Sequence, residues 1–149
     1  MNTLFKNASI LLPGGEVTTG CLGVQNHLIA FVGDVPEGFQ AEKVIDCERN
    51  LLMPGFANAH THLAMTLFRG IADDMDLQTW LETRIWPLED KLTDEDVYWG
   101  TLLAQAEMIR GGCVCSNDMY YFTDAIGRAV ADSGARALIT RTVMGNGED

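Results

Sequence analysis

The sequence predicts an α/β chain: a small β-sandwich-like lobe over residues 1–53, then parallel strand–helix units over residues 54–149, both incomplete. Three observations carry this expectation. Short apolar runs punctuated by turn residues fill the first part. After Gly55, strand-like runs alternate with patterns of helical period. Residues 54–149 amount to less than half of the roughly 200–250 residues that a closed (β/α)8 barrel needs, so if these units belong to one, most of it is missing.

Taken in order, residues 3–12 form a β-rich run that stops at Pro13-Gly14-Gly15. Residues 20–25 and 27–32 read as two strands around a tight polar turn at Gln25-Asn26, and Gly33-Asp34 ends the second. A short strand follows at 44–47, and Leu51-Leu52-Met53 leads into Pro54-Gly55. Residues 56–62 suit a buried strand, because Ala57, Asn58 and Ala59 are small enough for close packing. Residues 65–69 suggest a short helix closed by Gly70, and 76–85 a second, with Pro87 restarting the chain after Trp86. Thr93 is an N-cap with Asp96 three residues on, a capping box with Asp in place of Glu. Val97, Leu102, Leu103, Ala106 and Ile109 then keep helical spacing to Arg110, and Gly111-Gly112 ends the helix. Residues 113–116 are a strand, 124–132 a helix closed by Ser133-Gly134, and 135–143 a strand. Strand, helices, strand, helix, strand implies βαβ crossovers and a parallel sheet.

Composition narrows the function classes. The chain has 149 residues and a net charge of −11. A basic footprint is missing, which argues against nucleic-acid or anionic-membrane binding. No apolar run approaches the roughly 18 residues of a membrane span, and no secretory leader is recognisable in the opening residues. A cytoplasmic protein is the expectation. The four cysteines, Cys21, Cys47, Cys113 and Cys115, contain no C-x-x-C pair and read as buried free thiols. Cys113 and Cys115 have the spacing of one strand face.

The sharpest feature is His60-Thr61-His62 at the end of the strand over 56–62. Residues two apart on a strand face the same way, so both imidazoles converge where α/β folds place their active sites. Neutral imidazole suits zinc. Taken alone, the pair also fits two polar residues capping a strand end. Two of the chain's three histidines lie here, and the third, His27, reads as a turn or surface residue. Asp73, Asp74 and Asp76 lack the glycine and distal glutamate of a calcium loop and read as loop and helix-cap charges.

The run Pro54-Gly55-Phe56-Ala57-Asn58-Ala59-His60-Thr61-His62 resembles the first barrel strand of the amidohydrolase superfamily, and the preceding 53 residues resemble its split N-terminal sandwich. The likeness continues through Leu67-Phe68-Arg69-Gly70, Trp80-Leu81-Glu82, Trp86-Pro87-Leu88-Glu89, Tyr98-Trp99-Gly100, Glu107-Met108-Ile109-Arg110-Gly111-Gly112, Asp118-Met119-Tyr120 and Ala137-Leu138-Ile139-Thr140-Arg141. Together these are similar to the branch of 5-methylthioadenosine/S-adenosylhomocysteine deaminases and related chlorohydrolases.

The resemblance implies a single divalent metal, zinc first and iron as the alternative, with His60 and His62 as its first two ligands. It implies that Glu89 accepts hydrogen bonds from ribose hydroxyls, that Arg141 serves the substrate pocket and suits the carboxylate of a homocysteine tail, and that Trp80 helps wall the pocket. Read without it, Glu89 is one of a series of solvated acidic residues, Arg141 pairs with a neighbouring carboxylate, and Trp80 and Trp86 belong to the core.

The family completes its metal site with histidines and an aspartate on later strands, and sets an acid/base glutamate beside one of them. No histidine follows His62 here. The chain therefore resembles the N-terminal third of such an enzyme and holds no catalytic residue of its own. The implied reaction is hydrolytic deamination of an adenosine thioether to the inosine analogue and ammonia, with a purine nucleoside as partner and a homo-oligomer as a further expectation. Isolated, the 149 residues are expected to be inactive. A chlorohydrolase, a guanine deaminase or another amidohydrolase is the alternative within the class. A non-catalytic, truncated interaction module is the alternative outside it.

Overall fold

A computed structural model describes residues 1–141. The chain divides into two compact units, Met1–Pro54 and Gly55–Asp149.

The first unit is a single five-stranded sheet. Strands β1 (Asn2–Leu11), β2 (Val17–Gln25) and β3 (Leu28–Gly33) form an antiparallel meander. Strands β4 (Lys43–Asp46) and β5 (Leu51–Leu52) both pair parallel to β1, one after the other along it. The β1–β2 register slips between Phe5 and Ala8, where Asn7 has a positive φ of 56°. Ala8, Ile10 and Leu22 form its small core, flanked by Phe5, Leu12, Val24, Cys47 and Leu52. His27 is exposed in the β2–β3 turn, as expected.

The second unit is a parallel sheet of β6 (Phe56–Thr61), β7 (Cys113–Tyr120) and β8 (Arg136–Arg141), in that order. Between β6 and β7 run a 3₁₀ turn (Leu63–Phe68), helix α1 (Leu77–Trp80), a π-helical turn (Leu81–Ile85), α2 (Trp86–Glu89) and α3 (Asp94–Arg110). Helix α4 (Thr123–Ser133) joins β7 to β8. The core is Ala64, Val97, Tyr120, Ala125 and Ile126, with Met65, Leu92, Tyr98 and Ile139 packed around it.

Several sequence expectations need correction. The strand over 56–62 is largely exposed rather than buried, because the helices cover one face of a three-stranded sheet, and Leu138 and Met119 lie bare on the other. The four thiols are free but only half-buried. The helix expected over 65–69 is a 3₁₀ turn beginning at Leu63. The strand expected to end at Ser116 continues to Tyr120. Pro87 does not break the helix before it. Proline lacks the amide that an α-helix needs, and the π turn before it takes up the change of register. The last strand is described to Arg141, and its expected continuation to Val143 lies outside the described residues.

The capping box forms as read. The Thr93 hydroxyl accepts from the Asp96 amide at 3.3 Å, and the Asp96 carboxylate accepts from the Thr93 amide at 2.9 Å. Asp76 likewise caps α1, accepting from the Thr79 amide at 3.0 Å. Gly100 packs α3 against the 3₁₀ turn, and Thr66 donates its hydroxyl to the Gly100 carbonyl at 2.8 Å.

A Cβ at position 100 would lie 2.8 Å from the Ala64 carbonyl oxygen. Gly100→Ala is therefore expected to destabilise the unit by about 1–3 kcal/mol, although alanine is the better helix former by about 1 kcal/mol. Urea denaturation checks this, and an unchanged or raised midpoint would contradict it.

The Thr93 hydroxyl and amide hold the Asp96 carboxyl below its ordinary pKa. A carboxyl depressed on folding contributes fully above its unfolded value, near about pH 4, and loses that contribution as pH falls through the lower folded value. The stability gap between the natural chain and Asp96→Asn is accordingly expected to stay constant near neutrality and to close on acidification below about pH 4. A gap that persists at about pH 2 would contradict this.

Candidate metal and substrate site

The site begins where β6 ends. The β6–β7 register is interrupted between Asn58 and Thr61, and the Asn117 side-chain amide donates to the Ala59 carbonyl across the gap at 3.1 Å. His60 sits in that irregularity, and His62 follows the strand as the N-cap of the 3₁₀ turn. Their rings are brought together, with centroids 5.0 Å apart and planes at 79°.

The end of β7 fixes one of the two rings. His62 Nδ1 lies 2.6 Å from the Met119 carbonyl oxygen. A carbonyl only accepts, so a hydrogen bond here needs the proton on Nδ1, which in the neutral ring leaves the lone pair on Nε2. The neighbouring Asp118 is fully buried and accepts from the Leu63 amide at 2.9 Å. Burial pushes its carboxyl above the ordinary range, opposed by that amide, by His62 and by the Met119 amide.

Tyr120 continues the chain of contacts. It is 3 % exposed, its ring centroid is 6.2 Å from that of His62, and its hydroxyl donates to Glu89 Oε1 at 2.7 Å. Burial and then the Glu89 carboxylate hold its phenol well above the ordinary range, so it stays a donor. Glu89, at the end of α2, is thus held by β7 rather than free in solvent.

Glu89 and Arg141 line one cavity of about 880 Å³, together with Trp86, Tyr121 and Phe122. Arg141, exposed at the end of β8, pairs with no carboxylate among the described residues. Trp80 is half-buried and is not among the lining residues, where Trp86 stands instead.

Asp118 and Tyr120 had no role in the sequence reading. The signal was present, because Ser116, Asp118 and Tyr120 alternate at strand period and all three are buried. Ending the strand at Ser116 concealed it.

Two imidazoles with lone pairs to offer suit a divalent ion as part of its ligand set. Among the described residues no group of three or more His, Cys, Asp or Glu could complete it.

Comparison with known proteins identifies relatives of the chain. The chain is 47 % identical to a 5-methylthioadenosine/S-adenosylhomocysteine deaminase of Syntrophomonas wolfei over 154 aligned residues, covering 100 % of this chain and 36 % of that one. It is 50 % identical to deaminase 1 of the same description from Archaeoglobus fulgidus, covering 92 % of this chain and 32 % of that one. The chain therefore spans about a third of the length of these relatives. Among solved structures, an adenosine deaminase from Xanthomonas campestris with bound zinc superposes with a TM-score of 0.83 at 37 % identity, over 91 % of this chain and 33 % of that one. An atrazine chlorohydrolase from Arthrobacter aurescens complexed with zinc shares the fold, with a TM-score of 0.86 at 20 % identity, over 98 % of this chain and 37 % of that one. The amidohydrolase family model matches residues 51–149, and with these relatives it establishes that the chain belongs to the amidohydrolase family.

Proposed function

We propose that these residues form the N-terminal part of a metal-dependent aminohydrolase that deaminates an adenosine thioether, 5-methylthioadenosine or S-adenosylhomocysteine, to the inosine analogue. One observation carries the reading: Glu89 and Arg141, from separate elements, line one cavity, and Tyr120 ties that carboxylate to the ring of His62.

His60 and His62 are the residues that would hold the ion, zinc first and iron as the alternative. A divalent ion supplies Lewis acidity there, making water a nucleophile near neutral pH. Hydrolysis exchanges the ring amine for oxygen and releases ammonia. Glu89 accepts from the vicinal ribose hydroxyls with the oxygen that Tyr120 leaves free. Arg141 takes the terminal carboxylate of the longer thioether as a bidentate partner. Trp86 offers an apolar wall to the nucleoside, with Trp80 further back. Two imidazoles do not complete a tetrahedral shell, so the 149 residues alone bind zinc weakly and do not turn over substrate.

Calorimetric titration with zinc is expected to show weak binding that His60→Ala and His62→Ala each reduce by about tenfold or more. Undiminished binding in both variants would remove the metal assignment. Steady-state loss of adenine absorbance by the isolated chain would overturn the prediction of inactivity.

Glu89→Gln is expected to weaken binding of 5-methylthioadenosine by roughly tenfold to a hundredfold while sparing free adenine, as suits the loss of a charged acceptor. Arg141→Met is expected to weaken S-adenosylhomocysteine and leave 5-methylthioadenosine unchanged. Equilibrium dialysis checks both, and equal losses across each ligand pair would count against the assigned contacts.

A further inference from the structure

We propose that Asp118 and Met119, at the end of β7, form a positioning clamp that sets the tautomer and direction of His62. This inference rests on the reading of His60 and His62 as metal ligands.

The argument starts from the start of the 3₁₀ turn. The first amides of a helical turn have no partner within it, and an N-cap side chain ordinarily accepts from one of them. Here the N-cap residue is His62, and its side chain makes no capping bond. The same ring cannot both cap its own turn and offer a lone pair to an ion. The cap is therefore supplied from the next strand: Asp118 Oδ1 accepts from the Leu63 amide at 2.9 Å, directly after His62. One residue along, the Met119 carbonyl accepts the Nδ1 proton at 2.6 Å. The amide that follows His62 and the ring of His62 are thus held by consecutive residues of one strand.

Asp118 Oδ2 is buried with no hydrogen-bond partner among the described residues, beside the similarly unsatisfied hydroxyl of Ser116 two residues earlier on the same strand. A carboxylate buried on these terms costs stability. An apolar residue would fill the space at lower cost but would leave the Leu63 amide uncapped. Outer partners that fix a ligating imidazole are commonly worth ten- to a hundredfold in metal affinity.

The test uses the full 149-residue chain, with nitrogen-15 spectra of its histidines above about pH 8, where imidazole is neutral, and zinc titrations. In the natural chain His62 is expected to be protonated at Nδ1 and bare at Nε2. The Nε2-protonated form there would overturn the proposal by itself. Asp118→Ala is expected to mix the two tautomers and to weaken zinc binding by about tenfold or more. Asp118→Asn, which keeps an acceptor for the Leu63 amide, is expected to restore both. Asp118→Leu fills the space without an acceptor, is expected to mix the tautomers and weaken zinc binding in the same way, and carries the test if the alanine variant does not fold. A folded alanine or leucine variant with the natural tautomer and natural zinc affinity would overturn the clamp. If zinc leaves the His60 and His62 resonances of the natural chain unmoved, the metal reading fails instead, and the tautomer spectra still decide the clamp.

Discussion

The hydrogen bond between a buried carboxylate, Asp118, and the amide of Leu63 joins the end of β7 to the 3₁₀ turn that follows β6. It closes the start of the 3₁₀ turn from outside, and so allows a histidine to stand where a capping side chain would ordinarily be. Met119 and Tyr120 extend the same strand end. One takes the His62 proton through its carbonyl, and the other reaches Glu89 through its hydroxyl. Three successive residues of β7 therefore reach the Leu63 amide, the His62 ring and the Glu89 carboxylate of the neighbouring cavity.

The rest of the second unit makes that strand end possible. The parallel order β6-β7-β8 brings three strand C-termini to one edge, which is where open and closed α/β sheets place their ligands. Gly100 lets α3 approach the 3₁₀ turn closely enough for Thr66 to bond its carbonyl. The π turn before Pro87 lets the chain carry on into α2, whose last residue is Glu89. Each departure from regular geometry, the register break at His60, the 3₁₀ turn and the π turn, lies beside a residue of the site.

The electrostatics of the cavity follow from the strongly acidic composition. Asp90, Asp94 and Asp124 line it together with Glu89, and Arg141 is its one cation among the described lining residues. An anionic group entering such a cavity is repelled everywhere except beside the guanidinium, whereas hydroxyl groups are met by acceptors. Electrostatics of this kind favours neutral hydroxyl-bearing groups and gives an anionic group a single favourable place.

The sequence by itself determined what depends on near neighbours. Two imidazoles two residues apart at a strand end, the Thr93–Asp96 box and the alternation of strands with helices are local patterns, and each has a local physical cause. The tertiary structure decided what depends on partners far along the chain. Asp118-Met119-Tyr120 enters the sequence reading only as part of the resemblance, and its contacts appear once the Leu63 amide and the His62 ring are set against it. Glu89 reads as one more surface acid until Tyr120 reaches it across the unit. The pocket role of Trp80 comes from the resemblance and not from spacing, and in the structure Trp86 lines the cavity. Period and capping act over a turn or two of chain, whereas a buried carboxylate is explained only by the distant donor that makes its burial tolerable.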